Sequence, residues 1–94
     1  MYARVTRWEN STAEAQKAAA EMINSSDGPP EGVPAKGITV LDDHESGRSI
    51  TITLFDSEED RRVGDEALKR MNPPGDAGEV VSTEFYELTV DRRI

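Results

Sequence analysis

No cysteine occurs in the 94 residues. Disulfides, thiolate catalysis, iron–sulfur clusters and cysteine-type zinc sites are excluded by that absence, which fits a reducing compartment. Aromatic residues make up 5% of the chain and hydrophobic residues 35%. That is little apolar material for one self-sufficient core in a chain this short, so a partner subunit would help to cover the molecule. Positive charge is scarce as well, with 11 basic residues against 19 acidic ones and a formal charge of −8. Nucleic acid is therefore not expected as a partner, because binding it relies on Lys and Arg replacing counterions on phosphate. An anionic membrane surface is not expected for the same reason, and the acidic balance favours solubility. No apolar run approaches the ~20 residues of a membrane span. The opening M-Y-A-R-V-T-R-W lacks the apolar centre of a signal peptide. These absences lead to the expectation of a single domain, 1–94, located in the cytoplasm.

Motifs with a defined chemistry are missing too. There is no G-x-G-x-x-G, P-loop or G-x-S-x-G. Ser57-Glu58-Glu59-Asp60 reads as compensation of a helix dipole rather than as a metal site. Asp42-Asp43-His44-Glu45 lacks the spacing of an EF-hand loop and reads as a charged hairpin tip. No cofactor and no metal is called for.

What is present is organised around Gly47 to Met71. Ile50, Ile52 and Leu54 alternate with Ser49, Thr51, Thr53 and Phe55, which predicts a strand. Asp56 or Ser57 then caps a helix running to Met71 or Asn72, with Val63, Gly64, Ala67, Leu68 and Met71 as its inner stripe. Glu58, Glu59 and Asp60 fill its first turn and Lys69 and Arg70 its last, as the helix dipole favours. Asn72-Pro73-Pro74-Gly75 stops it. Before this stretch, Tyr2 to Trp8 alternates as a strand, with Ala3 and Val5 on one face and Tyr2, Arg4, Thr6 and Trp8 on the other. Asn10 and Ser11 offer an N-cap, and Ser11 with Glu14 fits a capping box. The helix they open runs to about Asn24 on a stripe of Ala15, Ala18, Ala19, Met22 and Ile23. Three prolines and two glycines between Ser25 and Pro34 make a loop. Lys36 to Asp43 forms a second strand, and His44 to Gly47 a turn in which Gly47 suits a positive φ. Val80 to about Asp91 forms a last strand that is apolar on both faces and therefore expects cover on both.

The order β-α-β-β-α-β predicts an α+β, ferredoxin-like fold, a four-stranded antiparallel sheet with two helices on one face. An echo supports it: Ala3 to Trp8 followed by Ser11 resembles Ile50 to Phe55 followed by Ser57. Crossover geometry is read as placing the first and third strands side by side and parallel in the middle. Ala3, Val5, Ile50, Ile52 and Leu54 are then expected to face the helices. Arg4, Thr6, Trp8, Thr51, Thr53 and Phe55 are expected on the open face, with Trp8 and Phe55 as near neighbours. Arg4 needs a partner there, either Glu84 or an anionic ligand, a structural ion pair being the simpler reading.

The junction Ile52-Thr53-Leu54-Phe55-Asp56-Ser57-Glu58-Glu59 resembles that of the antibiotic-biosynthesis-monooxygenase-like dimeric α/β-barrel domains. The approach from Gly32-Val33-Pro34 to Gly37 and the Val80 to Tyr86 strand fit the same family. The resemblance implies a homodimer in which two sheets face each other across a cavity lined by Arg4, Thr6, Trp8, Thr51, Thr53 and Phe55. It implies a small aromatic or otherwise apolar ligand in that cavity. The alternative it implies is a cofactor-independent monooxygenase acting on a phenol or quinol, with Trp8 and Asn10 as the candidate catalytic residues, although capping is the simpler role for Asn10. Haem-degrading relatives ligate iron through a helical histidine, whereas His44, the single histidine, falls in a turn and reads as a surface residue.

Overall fold

Alternation, caps and turn residues generate six elements: β1 (Tyr2–Glu9), α1 (Ala13–Ser25), β2 (Gly37–Asp43), β3 (Arg48–Phe55), α2 (Glu58–Lys69) and β4 (Glu79–Glu87). The computed structural model describes residues 1–71 and 78–94. The helix-stopping run Asn72, Pro73, Pro74 and Gly75 lies outside the described residues. The fold is the ferredoxin-like α+β arrangement, with one four-stranded sheet in the order β2-β3-β1-β4.

Local chemistry explains the element ends. Ser57 caps α2, its hydroxyl accepting from the Asp60 amide at 3.0 Å. The cap of α1 is Thr12, which accepts from the Ala15 amide at 3.0 Å, and not Asn10 or Ser11. Asn10 instead adopts a left-handed φ of 59°, a conformation asparagine tolerates better than most residues. Gly47 has the expected positive φ, 76°, and its Cα lies so close to the Ser11 backbone that a side chain has no room. The Ser11 amide donates to the Gly47 carbonyl at 3.0 Å, which ties the β2–β3 turn to the start of α1.

Every strand pair is antiparallel, β1 with β3 included. This corrects the parallel reading of the two central strands. The chain leaves β2 through a tight turn, so β3 opposes β2. Since α1 returns the chain to begin β2 in the direction of β1, β3 opposes β1 as well. Trp8 therefore lies opposite Ser49, and Phe55 opposite Tyr2. The two aromatics share a face but stand at opposite ends of it. β4 carries a bulge opposite Arg7 and Trp8, and the Leu88 amide extends the β1–β4 pairing by donating to the Met1 carbonyl at 2.8 Å.

A second correction concerns the sides of the sheet. Residues directly opposed across a ladder share a face, so Tyr2, Arg4, Thr6, Trp8, Thr51, Thr53 and Phe55 form one face and Ala3, Val5, Ile50, Ile52 and Leu54 the other. The helices cover the first, mixed face. Phe55 is fully buried, with its ring against Gly64 of α2. Arg4 is paired with Asp65 of α2, and Trp8 and Thr51 lie beneath Ala15 and Ala19 of α1. Alternation states which residues share a face, but not which face the helices take. Here α2 offers a gap for Phe55 and a carboxylate for Arg4, so the mixed face is the covered one. The helical stripes shift accordingly. Gln16, Gly64 and Asp65 are buried, whereas Met22, Val63 and Met71 are exposed.

Gly64→Ala tests this packing. On an exposed helical surface the change would stabilise by up to about 1 kcal/mol. Here the added methyl overlaps the Phe55 ring, and the expected result is a loss of about 1–3 kcal/mol, read as a lower midpoint in urea unfolding.

Candidate functional site

The six residues assigned to a ligand by sequence reasoning are held together on one sheet face, and the geometry gives each a local environment. Arg4 and Thr6 are buried. The Arg4 Nε donates to Asp65 Oδ1 at 2.8 Å, and its Nη1 donates to the Thr6 hydroxyl at 2.9 Å. Lys69 approaches the other Asp65 oxygen at 3.0 Å. The partner of Arg4 is thus Asp65 and not Glu84. Burial pushes the Asp65 carboxyl up, but hydrogen bonds from Arg4 and Lys69 outweigh it and hold the group below its usual range. Phe55 is occupied by Gly64. Thr53 borders a cavity beneath the 26–36 loop, and Thr51 and Trp8 border a smaller one beneath α1.

Asn10 lies exposed on the turn after β1, where its amide donates to Glu79 at 3.4 Å. His44 is exposed in the β2–β3 turn, as its position in the sequence indicates, but it is tied down. Its Nδ1 lies 2.6 Å from Gln16 Oε1. The Gln16 amide nitrogen donates to the carbonyls of Asp43 and Arg48 at 3.3 and 3.2 Å. Its oxygen is left to accept, which assigns the hydrogen of this contact to His44 Nδ1. A buried glutamine thereby fastens the hairpin to α1. Among the acidic residues that open α2, Glu59 pairs with Arg62 and Ser57 supplies the cap.

The opposite face holds a group that sequence reasoning did not assign. No described helix lies over Val5, Ile50, Ile52 and Leu54, and on the flanking strands Leu41 and Tyr86 are each 53% exposed. Across β1 and β4, Glu84 accepts three hydrogen bonds: from the Tyr86 hydroxyl at 2.7 Å, from Ser82 at 2.9 Å and from Arg7 Nε at 3.0 Å. Together they push its carboxyl down to about 2, the Tyr86 bond contributing most. The Tyr86 hydroxyl is raised in turn, first by that hydrogen bond and then by the negative charge. The signal for this group was the period-two spacing of Ser82, Glu84 and Tyr86, which becomes readable once β4 is set against β1 in an antiparallel register. At the end of this face, Arg7, Trp8, Leu41, Ile50 and Val81 border a depression of about 460 Å³. Trp8 is the one residue of the original six that reaches it.

No protein-family model matches the chain, and no curated protein matches it.

The folded-state pKa of Glu84 lies below its ordinary value, so the hydrogen bonds contribute fully above the normal glutamate range. Their contribution is lost as pH falls through about 2. Carbon-13 NMR of the side-chain carboxyls should give Glu84 a midpoint near that value. Tyr86→Phe should move the midpoint up, and a wild-type midpoint near the usual ~4.3 would show the hydrogen bonds to be absent in solution.

Proposed function

We propose that two copies of this chain stack through their open sheet faces, leave the helices outside, and bind a small aromatic or otherwise apolar molecule in the cavity between them. The supporting observation is a sheet face with no described helix over it, on which half-buried Ile50, Ile52 and Leu54 surround buried Val5, and Leu41 and Tyr86 stand exposed. Contiguous apolar surface of this kind usually marks an interaction site. A second identical face supplies a matching surface, because a two-fold dimer buries the same patch on both subunits. The wall of the proposed cavity is therefore this aliphatic face with the Arg7–Ser82–Glu84–Tyr86 group, and not Arg4, Thr6, Thr51, Thr53 and Phe55 beneath the helices. A neutral apolar ligand suits the aliphatic part, and the exposed Arg7 guanidinium and Tyr86 ring suit an aromatic one that carries a polar substituent.

Light scattering should give about twice 10.4 kDa, and Ile52→Glu, which places a carboxylate at the centre of the stacked faces, should give the single-chain mass. A wild-type protein that stays monomeric at micromolar concentration would overturn the stacking. Thermal-shift screening with quinones, flavins and aromatic acids should find a stabilising class in the wild type that loses its effect in Ile52→Glu.

Cofactor-independent oxygenation of a phenol or quinol is a second reading. Arg7 and Trp8 border the same depression, which favours it: a guanidinium there stabilises a phenolate, the electron-rich form that can itself reduce dioxygen, and a second sheet stacked over the depression would exclude water. Oxygen uptake with hydroquinone substrates should then exceed the protein-free rate and fall in Trp8→Ala. A rate unchanged by that substitution would remove Trp8 from the reaction.

A further inference from the structure

On the helix side of the sheet, α1 crosses β1 to β3 with small residues. Ala15, Ala19 and Ile23 leave a space of about 190 Å³ above Trp8 and Thr51. Beyond Ile23 it meets a larger space of about 430 Å³. Ile23, Val33, Ile38, Leu68, Thr53 and Lys36 border this second cavity. Three parts of the fold border it, leaving one side open to solvent: the C-terminal parts of α1 and α2, the proline-rich loop before β2, and the β2–β3 hairpin. A cavity of this size with an aliphatic wall falls in the ~300–1,000 Å³ range of small-molecule sites. The loop that roofs it is anchored rather than loose. Val33 is 4% exposed, its amide donates to Pro30 at 3.1 Å, and the Lys36 amide donates to the Leu54 carbonyl at 2.7 Å.

At the rim stands one cation. Lys36 lies 3.9 Å from Asp56, with both side chains more than half exposed. An exposed pair at that distance is worth little, so the ammonium is free to turn to an incoming anion. The net charge of the chain is −8, and an anion seated here would rely on Lys36, the one cation among the described residues that border the cavity.

We infer that this cavity binds a monocarboxylate with an apolar body, such as a medium-chain fatty acid, the hydrocarbon lying against Ile23, Val33, Ile38 and Leu68 and the carboxylate at Lys36. The site is on the opposite side of the sheet from the stacking face and does not depend on the stacking. Calorimetric titration with sodium decanoate should give saturable binding of one molecule per chain, and methyl NMR shifts should move at Ile23, Val33, Ile38 and Leu68. Lys36→Glu, a change at an exposed side chain, should weaken decanoate by about tenfold or more, in line with the loss of a charge-assisted contact, and leave decan-1-ol unchanged. Ile52→Glu should leave decanoate binding intact whatever it does to the oligomeric state, which separates this site from the open face. Failure of decanoate to saturate, shifts confined to Val5, Ile50 and Ile52, or equal decanoate affinity in Lys36→Glu would each overturn the inference.

Discussion

A guanidinium beneath a helix is stable only with a carboxylate against it, and Asp65 is the one that reaches Arg4. This pair fixes α2 on the sheet. Its neighbour in sequence, Gly64, leaves the opening that Phe55 fills, so two successive residues of one helix meet two residues of the sheet, one by charge and one by shape. A slide of α2 by one residue would strand Arg4 and drive a side chain into the Phe55 ring. Lys69 and Thr6 complete the polar set around the pair. Among the described residues no ion pair of this kind holds α1. Polar links join it to the β2–β3 hairpin, through the Gln16 amide and the Ser11–Gly47 bond at its start, and cavities border it.

The contrast between the helices matches a contrast between the sheet faces. The covered face is built from threonines, an arginine and the aromatics Tyr2, Trp8, Phe55 and Phe85, which suits specific contacts to α2 and a roomy seat under α1. The other face is aliphatic and featureless apart from the polar group on β1 and β4. A face of that kind gains from broad apolar contact rather than from particular bonds, which is what a second sheet provides in the proposed dimer. The low hydrophobic content of the chain is then divided between two interfaces, of which one chain closes only the first.

Much of this was legible in the sequence. Alternation in β1 and β3, the Ser57 cap, the acidic opening of α2 and the turn at Gly47 placed the six elements in order, because each depends on a few adjacent residues. The side chosen by the helices was not legible. Ala3, Val5, Ile50, Ile52 and Leu54 make the more apolar face, and apolar faces are ordinarily assigned to the core. That assignment fails here because the mixed face carries the two residues that α2 is shaped to meet, Phe55 at Gly64 and Arg4 at Asp65. The partner of Arg4 was missed for the same reason, since Asp65 falls on the helix that was placed on the wrong side. Asn10 and Ser11 lost the cap to Thr12 because three consecutive residues here all favour capping and the backbone turns left-handed at the first of them. Glu84 was matched to Arg4 rather than to Arg7, Ser82 and Tyr86, because its true partner Arg7 is 77 residues away and lies on the other face of β1.

The place of β1 in the sheet bears on how the protein folds. β1 precedes β3 and β4 in the chain, yet it lies between them, with Tyr2 opposite both Phe55 and Glu87. Until 79–87 are in place, one edge of β1 has no strand to pair with. Pairings between distant parts of a chain form slowly, and bare strand edges associate with other chains in the meantime. In this topology one edge of β1 therefore waits on the strand furthest from it in sequence, and the sheet closes only when β4 docks.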